Sequence, residues 1–229
     1  MAEGNIRKKS TLVPEPALRR MPCYLAYLKL ARNKGNQYVS STMIARDNGV
    51  DPTQVTKDLS YTGISGKTRV GYEVEPLIEA LEDFLGFKEM DHAFLFGAGS
   101  LGTALLHDHG LDQYGLDIVG AFDVNPLVIG HSIGGVSIEH IDEFLKKKDH
   151  GIKIGILTTP AASAQEVANM MVSNGIKAIW NFTPVRISAP ENVVVQNTSL
   201  YAHLAVMFNR LYALEASEQA GCDSKKSEL

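Results

Sequence analysis

Glycines carry the clearest chemical signature in this chain. Gly97-Ala98-Gly99-Ser100-Leu101-Gly102 follows the apolar run Ala93-Phe94-Leu95-Phe96 and opens into Thr103-Ala104-Leu105-Leu106-His107, which reads as the first turns of a helix. A second apolar run, Ile118 to Phe122, ends on Asp123-Val124, about 20 residues past the last glycine. Glycines permit a tight turn and let backbone approach a pyrophosphate closely. The N–H groups of the helix start hold the anion, and a carboxylate at the tip of the second strand accepts from ribose hydroxyls. An acid there, rather than a base, favours NAD and NADH over the 2′-phosphorylated form. Thr158-Thr159-Pro160 and Asn181-Phe182 each follow a further strand-like run, so both are expected at the same carboxyl edge as cofactor contacts.

A second set of residues has the chemistry of a DNA face. Ser40-Ser41 can cap a short helix, Thr42 to Asn48, which Gly49 ends; Asp51-Pro52 restarts the chain as N-cap and first helical residue. Two short helices around a glycine turn form a helix-turn-helix. In the second of them Val55 and Leu59 face inward. Thr53, Gln54, Lys57 and Ser60 are left on the other side, with Thr56 at the margin and Tyr61 at the end. Glutamine suits adenine edges, and lysine suits guanine or phosphate. The following stretch, Thr62 to Tyr72, holds three glycines and the cations Lys67 and Arg69, the pattern of a hairpin wing against phosphates or the minor groove.

The elements that must position these residues can be read from the apolar spacing. Leu18, Met21, Leu25, Leu28 and Leu30 predict a first helix that starts or bends at Pro22. Leu77, Ile78, Leu81, Phe84 and Leu85 predict another, ending at Gly86. Beyond the glycine turn, strands and helices alternate as an open parallel sheet requires: strands over 135–138, 152–157, 178–181 and 193–196, and helices over 141–148 and up to Asn174. Ser163 and Glu166 have capping-box spacing at the start of the latter. A last helix, Leu200 to Ala216, carries Leu200, Leu204, Met207, Phe208, Leu211 and Leu214 on one side. Burying that stripe is worth on the order of 10 kcal/mol at roughly 2 kcal/mol per large apolar side chain, so it must dock on its own sheet or on a second copy of the chain.

The predicted architecture is α/β. A flexible basic arm (1–13) precedes a winged-helix domain (14–86), a Rossmann-like parallel sheet (87–198), a C-terminal dimerisation helix (199–216) and a disordered tail (217–229). Charge supports the division. Residues 1–72 hold 12 Lys/Arg against five Asp/Glu, and the remaining 157 hold 10 against 21, although the whole chain is only −4. The basic part suits a polyanion. There is no apolar run of membrane length and no leader-like apolar segment at the N-terminus. The two cysteines, Cys23 and Cys222, lack metal-ligand spacing and suit a reducing cytoplasm. The histidines form no catalytic constellation, and after the last strand too little chain remains for a substrate domain, so a dehydrogenase is disfavoured. A winged-helix regulator that takes another nucleotide, such as a coenzyme A ester, is the other reading of this sheet type.

Gln54 through Tyr61, Gly71-Tyr72-Glu73-Val74, Gly97 to Gly102, Phe122-Asp123, and Gly175-Ile176-Lys177 through Asn181-Phe182-Thr183-Pro184 together resemble the Rex family of redox-sensing transcriptional repressors. The resemblance runs from about Pro14 to Leu214. It implies a homodimer that binds palindromic operator DNA in its apo or NAD⁺ form and releases it on binding NADH, with the C-terminal helix exchanged between protomers. Family members often have Phe where this chain has Thr62, and a basic residue then Gly where it has Thr68-Arg69. Better-known members use an Arg, a Tyr and an Asp in an interdomain switch, and the matching positions here are Ala26, Asp108 and Ser199. In this chain the coupling must therefore use other contacts or be weaker.

Overall fold

The computed structural model describes residues 13–108, 110–147 and 151–226. Apart from Val13, the predicted arm lies outside them. The chain divides into two units, Met1–Glu89 and Met90–Leu229.

The first unit is built from α1 (Glu15–Asn33), β1 (Tyr38–Val39), α2 (Ser41–Asn48), α3 (Pro52–Ser60), β2 (Tyr72–Glu73) and α4 (Val74–Leu85). Helix α1 begins at Glu15, not at Pro22, because Pro16 in its first turn needs no N–H partner. Pro22 lies inside the helix, leaving the Leu18 carbonyl without its usual donor. Burial of Met21, Tyr24, Leu25 and Leu28 on the inner face offsets that loss. Leu18 and Leu30, expected in the stripe, are exposed at its margins, and Tyr24 and Ala31 fill the core in their place. Met21, Leu25, Ile44, Val55, Leu59, Leu77 and Leu81 pack into one cluster that holds α1–α4 together.

The stretch before β2 differs from the expected hairpin. A single antiparallel bridge, Lys67 to Gly71, closes a turn with Arg69 at φ +66°. The glycines serve close packing instead of a long wing. A Cβ on Gly71 would lie 2.3 Å from the Val39 carbonyl oxygen, and one on Gly66 would press on the Tyr72 ring at 3.2 Å.

The second unit is a seven-stranded sheet in the order β5-β6-β4-β3-β7-β8-β9. Its strands are β3 (Asp91–Phe96), β4 (Leu116–Asp123), β5 (Ser132–Ile133), β6 (Val136–His140), β7 (Ile154–Leu157), β8 (Ala178–Asn181) and β9 (Val194–Asn197). All neighbours pair in parallel except β5 and β6, a short antiparallel edge hairpin turned by Gly134-Gly135. Helices α5 (Ser100–His107), α6 (Ile141–Lys146) and α7 (Ala164–Ser173) follow β3, β6 and β7. Alternation along the strands splits the core. Phe94, Phe96, Phe122 and Phe144 pack with α7 on one face, and Ala93, Leu95, Ala121 and Leu106 pack on the other.

Two local expectations fail here. Ser163 has helical backbone angles and its hydroxyl donates to the Pro160 carbonyl, so there is no capping box with Glu166. Helix α8 (Leu200–Lys226) also continues well past Ala216, into the residues expected to form a disordered tail, since no proline follows to stop it. Every residue of α8 from Leu200 to Ser217 is exposed.

Candidate nucleotide and nucleic-acid sites

The glycine turn leaves the carboxyl end of β3, where the sheet order reverses between β4 and β7. Gly97 has φ +102°, and a Cβ there would meet the Thr158 and Thr159 backbone at 2.8 Å. One on Gly102 would lie 2.0 Å from the Gly97 carbonyl oxygen. These two glycines thus let helix, turn and neighbouring strand close together. Gly99 is different: it caps α5 with no side-chain bond, and a Cβ would meet nothing within 4 Å. Space is open at the one glycine whose role in a dinucleotide turn is to let pyrophosphate approach. The open cradle therefore fits a dinucleotide.

Asp123 faces this turn. Its Oδ2 accepts from the Ala98 N–H at 2.6 Å, and its Oδ1 accepts from the Val124 and Asn125 N–H groups at 2.7 and 2.8 Å. The carboxylate therefore ties the glycine turn to the end of β4 and keeps one lone-pair site, on Oδ2, for a ribose. Thr158 is an internal strut, its hydroxyl bonded to the Gly97 carbonyl at 2.7 Å. The hydroxyl oxygen of Thr159 is buried with no hydrogen-bond partner among the described residues, beside the exposed Pro160, and marks a place for a polar ligand group. Ser100 is exposed, Leu101 half-buried and Val124 well exposed.

Asn181 is a correction. It is fully buried, and its amide donates to Val185 O and Asn197 Oδ1 while its oxygen accepts from the Thr183 N–H and hydroxyl. With its donors and acceptor sites taken in pinning a turn to β9, it has nothing left for a cofactor. Phe182 is half-buried against Trp180, ring centroids 4.6 Å apart.

In the first unit, Ser40, Ser41, Thr56, Ser60, Lys67 and Arg69 line one open groove of about 540 Å³. Ser40 caps α2 by accepting from the Met43 N–H, while Ser41 is its first helical residue. Asp51 caps α3 through the Thr53 N–H. Thr53 and Lys57 are exposed on α3, and Tyr61 is half-buried against the core. Thr56 and Ser60 donate their hydroxyls to their own helix, to Pro52 O and Lys57 O. Lys67 pairs with Glu73, a hydrogen bond that raises the lysine pKa, and lies 5.9 Å from the Tyr38 ring. Arg69 has no ion pair among the described residues.

Sequence reasoning missed Asp58. Fully buried on α3, it takes a two-pronged bond from Arg20 (2.7 and 2.9 Å), one from the Tyr24 hydroxyl (2.9 Å) and one from the Gln54 amide (2.7 Å). Burial alone pushes its pKa up, but the Arg20, Gln54 and Tyr24 bonds outweigh that and hold it below the usual carboxylate range. Tyr24 is pushed up to about 12 by burial and by the bond to Asp58. The signal was present: Asp58 directly precedes the inward Leu59, and Tyr24 sits within the α1 stripe.

Two family models match the chain: "CoA binding domain" over residues 88–185 and "Putative DNA-binding protein N-terminus" over residues 12–60. The redox-sensing transcriptional repressor Rex of Bacteroides fragilis is 60% identical over 89% of this chain and 93% of its own. Among solved structures, RSP in complex with β-NAD⁺ and operator DNA superposes with a TM-score of 0.83 at 32% identity, covering 91% of this chain and 97% of that one. RSP in complex with β-NADH gives 0.81 at 31% identity, over 91% and 99%. An α/β chain that carries a helix-turn-helix unit and a dinucleotide-type sheet, and that shares this identity over nearly its whole length, belongs to the Rex family of redox-sensing transcriptional repressors.

Proposed function

We propose that this chain is a homodimeric repressor that binds palindromic operator DNA through α3 and the Lys67–Gly71 turn, and releases it when NADH occupies the glycine turn. The observation that carries the ligand half is the contrast between Gly97 and Gly102, closed by neighbouring backbone, and Gly99, open to a pyrophosphate. The groove that gathers Ser40, Ser41, Thr56, Ser60, Lys67 and Arg69 supports the DNA half. RSP, crystallised with NAD⁺ and operator DNA and also with NADH, gives the same pair of ligands in a relative.

Dimerisation is assigned to α8. Leu200, Leu204, Met207, Phe208 and Leu211 are all exposed, as are Tyr201, Val206 and Tyr212 on its other faces. A helix apolar over most of its circumference needs cover on more than one side. A partner protomer that receives the helix and returns its own supplies that cover. The reducing cytoplasm suits both the two cysteines and a pool of NADH and NAD⁺.

NADH and operator favour different arrangements of the two units, so each weakens the other's binding by one factor. The test is fluorescence anisotropy of an inverted-repeat duplex titrated with the full chain, alone and with saturating NADH, NAD⁺ or acetyl-coenzyme A. Release by NADH alone is the expected result. Release by acetyl-coenzyme A would favour the coenzyme A reading, towards which the "CoA binding domain" match points. Binding indifferent to every ligand would sink the proposal.

A further inference from the structure

Asp58 and Gln54 lie one helical turn apart on α3, the first buried in the core and the second half-buried at its rim. An ionised carboxylate only accepts hydrogen bonds, so the Gln54 amide must turn its nitrogen inward, as it does at 2.7 Å from Asp58 Oδ1. Arg20 holds both oxygens of that carboxylate and Tyr24 holds one, which fixes the acceptor itself in place. One N–H and the carbonyl oxygen of Gln54 remain without a partner among the described residues. That donor and acceptor pair is the edge that matches N7 and N6–H₂ of adenine in the major groove. An unrestrained glutamine on a helix surface could flip its amide and would lose rotamer freedom on binding.

On the reading of α3 as the groove helix, we propose that Arg20, Tyr24 and Asp58 are positioning residues that lock the Gln54 amide as an adenine reader. Asp58 thereby sets base specificity without touching DNA. The arrangement joins the core of the first unit to its recognition surface, so a buried charge controls which edge α3 presents.

Duplexes enriched by the full-length chain from a randomised inverted-repeat pool supply the operator, and each A·T pair of the half-site is then changed to G·C. Anisotropy should show a preference for adenine of about tenfold at one position per half-site, as a paired amide contact gives. Q54M keeps the side-chain length and leaves Asp58 its Arg20 and Tyr24 bonds; the preference should fall below about twofold. D58N, whose amide can offer Gln54 either a donor or an acceptor, should lose the preference too, although Gln54 is intact. The slope of log Kd against log salt should stay as in the parent chain for both variants, because no phosphate contact is touched. If D58N melts, the double variant R20Q/D58N removes both buried charges together and takes its place. Preference retained in D58N or in the double variant overturns the positioning role, and preference retained in Q54M overturns the reader. K57A separates this from the parent reading: if K57A weakens operator binding while D58N keeps its specificity, only the positioning idea fails. If neither K57A nor Q54M alters binding, α3 is not the groove helix.

Discussion

Asp58 is held by four hydrogen bonds from three side chains, and its depressed pKa makes the first unit sensitive to acid. A carboxyl whose folded pKa lies below its unfolded value, about 3.9, contributes stability in full above that value and loses it as pH falls through the folded one. Acid unfolding followed by circular dichroism should therefore show a loss of stability below about pH 4 that is smaller in R20Q/D58N, where Asp51 and Glu73 still contribute theirs. Arg20→Met, which leaves the buried carboxylate without its cation, should cost about 3–5 kcal/mol in urea unfolding of the full chain. Asp123 works differently. Because it bonds the Ala98 N–H as well as its own turn, Asp123→Ala should weaken NADH by at least about tenfold, measured by calorimetry, in part by loosening the glycine turn. Residue types and spacing put Asp123 beside the glycine turn and Lys57 on the outer side of α3, and the structure has both there. The same reasoning misassigned Asn181, since a polar residue at a strand's carboxyl end looks identical whether it faces a ligand or pins the next turn.

Elements were legible where periodicity or caps were strong. Helix α3, with Asp51 and Pro52 at its start and Val55 and Leu59 inward, and strands β3 and β4 follow from local pattern. Strand β5, its antiparallel pairing with the β6 strand expected over 135–138, and the reduced turn around Arg69 did not. A two-residue pairing carries almost no pattern, and of the glycines near Arg69, Gly71 is dictated by a contact with Val39 of β1 that is remote in sequence, while Gly66 makes room for the Tyr72 ring. The glycine turn gives a sharp test at this scale. Gly99→Ala meets no neighbour, so it should leave the thermal midpoint of the chain within a few degrees while weakening NADH about tenfold or more. Gly102→Ala must push α5 away from the Gly97 carbonyl, so it should lower both the midpoint and the affinity. Equal effects of the two substitutions would remove Gly99 from the pyrophosphate contact.

Across the whole molecule, charge and apolar surface divide the labour: cations in the first 72 residues, an acid excess beyond, and an uncovered helix at the end. Leu204→Glu with Leu211→Glu places charges on the stripe of α8 and should turn a dimer into a monomer by analytical ultracentrifugation. Operator affinity should drop with it, because the two half-sites are then bound independently. The reach of each unit's partner cannot be read from spacing alone, since α8 has the same pattern whether it meets its own sheet or another copy's.

The bare surface of α8 also bears on inheritance. If every molecule completes its neighbour, a chain with an intact last helix and a crippled α3 will mix freely with normal chains. It will draw them into hybrids that grip only half a palindrome, so a single defective allele should silence a functional one in the same cell.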